Sequence, residues 1–251
     1  MNDDLSHAAQ ASRKAGGGKI QRPTGLGESV YETILNRLMS LSIAPGARIT
    51  VDALSRELGV SQTPIREALG RLEEQGLVVK IHHIGYSAAP QVGLRSFNEL
   101  YELRLLLEPA AAARAAKNMT DPYAAKISAL AARMEGPGSL DARKYYSRFA
   151  RLDAEFHDLI LQISGNELIR ETIERLHVHM HLFRLHYNVK LTGTAVREHA
   201  AIVKALKQRD SKRAESAMRR HIELSRKRFI ASFDELDRDT EGRYTSTVQA
   251  V

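Results

Sequence analysis

Helical periodicity fills the chain after residue 93, and this feature constrains the fold most. Apolar residues recur there every three or four positions in six segments, with short polar or glycine-containing connections between them. The segments cover about 94–117, 122–134, 141–163, 167–190, 194–208 and 211–233. Amphipathic helices with such short connections usually pack antiparallel. We therefore expect an antiparallel all-helical bundle of about six helices over residues 94–234, followed by a frayed polar tail over 235–251.

The segment before the bundle has a different organisation. Its apolar spacing predicts three shorter helices, and residues 77–89 have the pattern of two short strands around a turn. The helices cover about 30–41, 51–58 and 63–76. Three helices followed by a hairpin are the elements of a winged helix-turn-helix, which we expect over residues 28–90. Residues 1–27 are glycine-rich and polar, which predicts a flexible tail. The predicted fold is thus mainly α.

Composition excludes several classes of protein. No stretch approaches the roughly 18 consecutive apolar residues of a membrane-spanning helix. The N-terminus carries Asp3 and Asp4 and has no apolar signal core, so we expect a cytoplasmic protein. The chain contains no cysteine, which leaves histidine and carboxylate side chains as the donors for any metal site.

The charge distribution gives only indirect support for binding to nucleic acid. The whole chain has a formal net charge of +7, but residues 28–90 carry six Lys and Arg against seven Asp and Glu. A DNA-binding role must therefore depend on which side chains occupy the recognition helix.

The predicted helix-turn-helix places several polar side chains where a helix enters the major groove. Arg66 could bond a guanine and Gln62 an adenine, while the hydroxyls of Ser61 and Thr63 could hold phosphates. His82 and His83 occupy the predicted wing tip. Other interpretations stay open, because Thr63 could simply begin a helix and Arg66 could pair with Glu67 or Glu73.

The sequence of this segment resembles the signature of GntR-type transcriptional regulators. Residues 60–69 read VSQTPIREAL, RLE and GLV follow at 71 and 76, and IAPGARI precedes at 43. The resemblance implies operator DNA as a partner. It also implies two departures, since family members commonly carry arginine in place of Gln62 and a basic, proline-containing wing in place of residues 80–85. We expect operator preference and salt dependence to differ accordingly.

Histidine and aspartate side chains in the bundle form a candidate metal site. Asp153 and His157 lie four residues apart on one helix face, and His199 and His221 occupy two later helices. Such a set suits Zn²⁺, Ni²⁺ or Mn²⁺. By spacing alone, these residues could equally be unconnected core or surface histidines. A run of three alternating histidines at 177, 179 and 181 favours a pocket lining or an interface over a separate metal site.

The bundle also resembles the FCD effector domain of the FadR branch of these regulators. The motifs are LDAEFH from residue 152, SGN from 164, EHAAI from 198 and MRRHI from 218. The resemblance assigns a divalent transition metal to Asp153, His157, His199 and His221. It also implies that Arg104 faces an organic acid effector, although a bridge from Arg104 to Glu108 is the simpler alternative.

Together these patterns predict a homodimeric, metabolite-responsive regulator, and the resemblance favours a repressor. Pairing two winged helices on a two-fold-symmetric site is the usual way to gain specificity. Two alternatives stay open at this point. One is a metal-dependent hydrolase that uses the Asp and three His side chains, and the other is a constitutive DNA-binding protein without an effector.

Overall fold

The computed structural model describes residues 25–136, 138, 140–185 and 187–248, and it is mainly helical. An N-terminal unit of three helices and a small sheet precedes a bundle of seven helices. The N-terminal elements are α1 (Leu26–Met39), β1 (Arg48–Ile49), α2 (Val51–Leu58), α3 (Gln62–Glu74), β2 (Val78–Ile81) and β3 (Gly85–Ala88). The bundle consists of α4 (Leu94–Lys117), α5 (Asp121–Arg133), α6 (Ala142–Ser164), α7 (Glu167–Arg175), α8 (Val178–Phe183), α9 (Lys190–Lys207) and α10 (Ser211–Val248).

The N-terminal unit is a winged helix-turn-helix, as the sequence predicts. Gly59 ends α2 in the left-handed conformation (φ 65°), which glycine adopts without a side-chain clash. The chain then turns into α3, whose Ile65, Leu69 and Leu72 are completely buried. Burial of this apolar stripe leaves the opposite face of α3 in solvent.

The wing is an antiparallel hairpin of β2 and β3, and β1 adds a third strand in the order β1-β3-β2. His83 lies at its turn with φ 61°, in the left-handed region. The strand β1 is not predicted from the sequence because two residues are too few for a pattern of alternating side chains.

The bundle differs from the sequence prediction in the number of its helices and in where the last one ends. The segment 167–190 forms two helices, because His177 adopts a left-handed conformation (φ 45°, ψ 34°) and turns the chain between α7 and α8. At the other end, the backbone of α10 is helical to Val248, past residue 234 where we predict the frayed tail. That domain limit stays a prediction.

The two units pack against each other. Buried apolar residues from both belong to one continuous cluster, and Arg151 of α6 pairs with Glu32 of α1 at 2.5 Å. Within the part of the chain that the structure describes, none of the helices combines the length and apolar content needed to cross a membrane.

Candidate functional site

The recognition helix α3 presents polar side chains on its exposed face. Ser61, Gln62, Thr63 and Arg66 are all exposed at or just before its first turns. Ser61 is the N-cap residue, and its hydroxyl makes no capping hydrogen bond. The placement agrees with the geometry needed for major-groove contacts, while the individual contacts stay predictions.

A chain of hydrogen bonds orients the two candidate base-reading side chains. Asp52 of α2 accepts from Gln62 Nε2 at 2.6 Å, and Gln62 Oε1 accepts from Arg66 Nη2 at 3.2 Å. Arg66 is thus hydrogen-bonded to Gln62, a partner that was not predicted from the sequence. These hydrogen bonds limit the rotamers of both side chains in the free protein.

The wing tip presents two histidines and an apolar side chain to solvent. His82 and His83 are exposed, and their rings pack edge to face with centroids 3.7 Å apart. Arg48 Nη2 donates to the carbonyl of Ile84 at 3.2 Å and so braces the turn. Ile84 itself is 53% exposed.

Four side chains from three helices converge inside the bundle. One ring nitrogen from each of His157, His199 and His221 lies within 4.8 Å of the others. Asp153 joins them, since its Oδ1 lies 3.3 Å from His199 Nε2. We call Asp153, His157, His199 and His221 the donor cluster, and all four are buried. The structure therefore brings together the residues that the sequence analysis assigned to a metal.

Two of these histidines are hydrogen-bonded to carboxylates through Nδ1. Glu108 accepts from His157 Nδ1 at 2.6 Å, and Glu198 accepts from His221 Nδ1 at 2.8 Å. A hydrogen bond that fixes the proton on Nδ1 leaves Nε2 of the same ring as the electron-pair donor. This arrangement is typical of metal-binding histidines.

Each of these carboxylates also pairs with an arginine. Glu108 bonds Arg104 Nε at 2.6 Å, and both side chains are buried. Glu198 bonds Arg228 through both of its oxygens. The bridge from Arg104 to Glu108, left open as an alternative by the sequence, is thus present. Arg104 also lines the small cavity beside the donor cluster. Its contact with an effector stays a prediction.

Three residues of this site were not in the predicted set. Glu108 and Glu198 stand behind donor-cluster histidines, and His179 Nδ1 lies 3.0 Å from Asp153 Oδ2. The helix α4 carries several other charged residues, so no local sequence signal singles out Glu108. His179 was considered only as part of the histidine run, which has no distinguishing pattern of its own.

The electrostatics of the site favour metal-binding protonation states. Burial lowers the pKa of His157 to about 4 and that of His221 to about 3, so both rings are neutral near pH 7. Burial opposes the charge of Asp153, but its contacts with His179 and His199 outweigh this effect. The pKa of that carboxyl lies well below its usual range. Neutral imidazole and ionised carboxylate are the forms that coordinate a metal.

Unpartnered nitrogen atoms test whether a metal fits. Within the described part of the chain, His157 Nε2 and both ring nitrogens of His199 are buried without a hydrogen-bond partner. Each such group costs about 1–3 kcal/mol, and a bound cation would satisfy the lone pair of a ring nitrogen. The donor set, its protonation and these orphaned atoms all fit a divalent transition metal.

The space beside the donor cluster is small. The adjoining cavity has a volume of about 20 Å³ and is lined by Arg104, Asp153, His179, His221, Ser225 and Arg228, among others. Such a volume holds about one water molecule. Two arginines line the cavity together with Asp153, and each arginine is paired with a carboxylate of the protein, so entry of an organic anion requires side chains to move.

Comparison with known proteins gives consistent results for both units. The family described as "Bacterial regulatory proteins, gntR family" matches residues 26–86, and the family described as "FCD domain" matches residues 99–224.

Curated relatives match most of the chain. It is 30% identical over 205 residues to the HTH-type transcriptional regulator McbR of Escherichia coli (strain K12), covering 78% of this chain and 88% of McbR. It is 28% identical over 200 residues to the HTH-type transcriptional repressor RspR of the same strain, covering 78% of this chain and 85% of RspR. A solved structure of E. coli McbR/YncC has a TM-score of 0.60 at 22% identity, covering 82% of this chain and 98% of that one.

Proposed function

Because this chain belongs to the GntR family of bacterial regulatory proteins and carries an FCD domain, we propose that it senses a small carboxylate through a divalent transition metal and thereby controls operator binding. Family membership makes the chain a DNA-binding transcriptional regulator. The hydrolase that the sequence left open is not retained, because the family and the curated relatives are transcriptional regulators and not enzymes.

The convergence of the donor cluster is the observation that carries the proposal. Asp153, His157, His199 and His221 would hold the metal, with Glu108 and Glu198 fixing two of the rings. A metal bound there would supply a positive charge to which one oxygen of an effector carboxylate could bind. Zn²⁺, Ni²⁺ and Mn²⁺ all accept this donor set.

Arginines beside the cavity suit the remaining charge of the effector. Arg104 and Arg228 both line it, and each is paired with a carboxylate of the protein. A guanidinium binds a carboxylate through two parallel hydrogen bonds. An incoming acid would therefore compete with Glu108 for Arg104.

At the operator, α3 would enter the major groove with Gln62 and Arg66 toward the bases. Ser61 and Thr63 would contact phosphates, and His82 and His83 would meet the backbone from the wing. Two copies would bind a two-fold-symmetric site as a homodimer in the cytoplasm. The name of RspR, a transcriptional repressor, favours repression for this chain as well.

Metal analysis and operator binding test the proposal together. We expect the purified chain to retain about one metal ion, and His199→Ala to retain less than a tenth of that amount. His82→Gln is the matched histidine control, because the exposed wing lies in the other unit; it should keep the metal.

Operator fragments selected from genomic DNA then serve for titrations with a panel of organic acids. We expect at least one acid to change operator affinity in the metal-loaded protein and to leave the His199→Ala protein unaffected. An affinity that no acid changes would instead indicate a constitutive DNA-binding protein. A reporter placed behind the operator checks the sign, since repression predicts higher expression when the regulator is deleted.

A further inference from the structure

The short helix α8 contacts both the donor cluster and the winged helix. It lies after the left-handed residue His177 and runs only from Val178 to Phe183. A six-residue helix between a strained residue and a turn can be displaced as a unit more readily than the long helices around it. Its contacts on three sides show what such a displacement would affect.

On its inner side, α8 holds an oxygen of the donor cluster. His179 is buried, and its Nδ1 donates to Asp153 Oδ2 at 3.0 Å. The other carboxylate oxygen, Oδ1, faces His199 at 3.3 Å. His179 therefore fixes the orientation in which Asp153 offers Oδ1 to the donor cluster.

His179 has one alternative role, as a metal ligand in its own right. Glu108, His157 and His179 offer ligand atoms within 4.8 Å of one another. However, Glu108 is already bonded to the guanidinium of Arg104, and His157 belongs to the donor cluster. A second cation here would be repelled by the Arg104 guanidinium and by a metal in the donor cluster. We therefore assign His179 the role of a hydrogen-bond donor to Asp153.

Toward the recognition helix, α8 packs against Gly76. This residue follows α3 and has φ 66°, and a Cβ added to it would lie 2.7 Å from His177 Cδ2 and 3.2 Å from His181 Nε2. The rings of His177, the N-cap residue of α8, and of His181, in its last turn, thus lie against the backbone at the end of the recognition helix. Any shift of α8 must move these rings relative to the end of α3.

At its other end, α8 is bonded to the segment that joins the two units. Arg184 Nη2 donates to the carbonyl of Ala89 at 2.7 Å, and Gln91 Nε2 donates to the carbonyl of Arg184 at 2.7 Å. Arg184 is 1% exposed, and its Nε and Nη1 have no hydrogen-bond partner among the described residues. A buried guanidinium with so few bonds is retained at a cost in stability.

From these contacts we infer that α8 transmits the state of the donor cluster to the winged helix, with His179 and Arg184 as its positioning residues. The inference rests on the proposed function, because it takes metal binding at the donor cluster as given. The donor cluster would hold the metal in part through Asp153 Oδ1. A change in the position of Asp153 would then move His179, which is bonded to Oδ2, and with it α8 relative to Gly76 and Ala89. The metal-bound state would thereby favour one arrangement of the winged helix over the other.

Hydrogen–deuterium exchange of the full chain, first treated with a chelator and then titrated with Zn²⁺, tests this directly. In the wild type, Zn²⁺ should change exchange at least threefold over residues 76–79 and 89–93 as well as over α8. In Arg184→Met, Zn²⁺ should bind within threefold of wild-type affinity, but the change over 89–93 should be lost. Methionine is chosen because an apolar residue in place of a poorly paired buried charge is often tolerated.

Variants of His179 test the other contact. His179→Leu should weaken Zn²⁺ binding by about 10- to 100-fold and, at saturating Zn²⁺, abolish the exchange response at 76–79. His179→Gln keeps a hydrogen-bond donor for Asp153 and should restore part of the Zn²⁺ affinity and part of the exchange response at 76–79. Lys207→Gln, an exposed change on α9, is the control and should behave as wild type.

The possible failures can be told apart. A wild type that binds no metal overturns the proposed function together with this inference. A wild type that binds Zn²⁺ without any exchange response at 76–79 and 89–93 overturns the inference alone. So does an Arg184→Met or a Zn²⁺-saturated His179→Leu protein that responds as strongly as the wild type.

Discussion

Glu198 acts on two partners at once: it accepts from His221 and pairs with Arg228. Its negative charge keeps the proton of His221 on Nδ1 and makes Nε2 a stronger donor. Glu108 does the same for His157. The strength of the candidate metal site therefore depends on residues that would never touch the ion.

Glu198→Gln should weaken Zn²⁺ binding by about 10- to 100-fold without unfolding the protein. The amide can still accept from His221, but it lacks the charge that polarises the ring. Competition against a coloured chelator measures the affinity. Glu155→Gln is the matched control, since Glu155 is exposed on α6 and only approaches Arg133 at 3.7 Å. Equal affinities in the two variants would contradict this account.

His181 gives a prediction for stability against pH. Burial, with a smaller contribution from Arg184, lowers the pKa of His181 from 6.5 to about 4. The unfolded chain therefore takes up a proton near pH 6.5 that the folded chain refuses until about pH 4. Stability is complete above pH 6.5 and is lost as the pH falls toward 4, by about 1.4 kcal/mol per unit for one such group.

Chemical denaturation of the chelator-treated protein between pH 7.5 and 5 measures this loss. His157 and His221 contribute in the same direction because burial lowers their pKa too. His181→Gln should lose less stability over this range than the wild type. A wild type whose free energy of unfolding is constant from pH 7 to 5 would refute the prediction.

The site shows how far single residues can be predicted from sequence. By spacing, the four residues of the donor cluster are only a candidate set, and it is the resemblance to the FCD domain that assigns them to a metal. Glu108 and His179 were missed because nothing local marks them. Their importance arises when α4 and α8 are packed against α6, and such long-range proximity is not encoded in periodicity.

At the scale of elements, most helices follow directly from apolar spacing and end signals. The predicted second helix and the first bundle helix agree with α2 and α4 at both ends. The exception is the break between α7 and α8, since non-glycine residues adopt the left-handed region uncommonly and a single histidine does not identify such a position. In the structure, His177 lies beside Gly76 at that break.

Gly76→Ala should cost more stability than Gly46→Ala, although both glycines have similar positive φ angles of 66° and 73°. Each substitution incurs about 1–2 kcal/mol for an alanine in the left-handed region. A Cβ at Gly76 additionally meets His177 at 2.7 Å, whereas one at Gly46 has nothing within 4 Å. Thermal and chemical denaturation give the difference.

The double variant Gly76→Ala, His177→Ala isolates the contact. Removing the ring should recover the additional loss and leave only the backbone cost. If the two single variants are equally destabilised, the packing of α8 against the recognition helix contributes nothing.

For the whole molecule, the distribution of charge sets the salt dependence of operator binding. The net positive charge lies mostly outside residues 28–90, so few cations face the DNA. Arg48 of β1 and Lys80 of β2 are exposed on the wing strands, whereas Arg66 is assigned to a base. Two copies would contribute about four phosphate contacts, which predicts a slope near −4 for log affinity against log salt.

Binding titrations between 50 and 200 mM salt measure that slope. Lys80→Gln should make it shallower by about 2 in a dimer, and Lys207→Gln, far from the winged helix, should leave it unchanged. A slope steeper than about −8 would mean that cations elsewhere in the chain reach the DNA.

The closed cavity beside the donor cluster has a kinetic consequence. A space of about 20 Å³ cannot admit an organic acid until Arg104, Arg228 or their neighbours move aside. Association would then be gated: the observed rate would rise with ligand concentration and level off at the rate of opening. If this chain senses an organic acid as proposed, it would respond to a level of that acid that lasts longer than the cavity stays closed, and not to briefer increases.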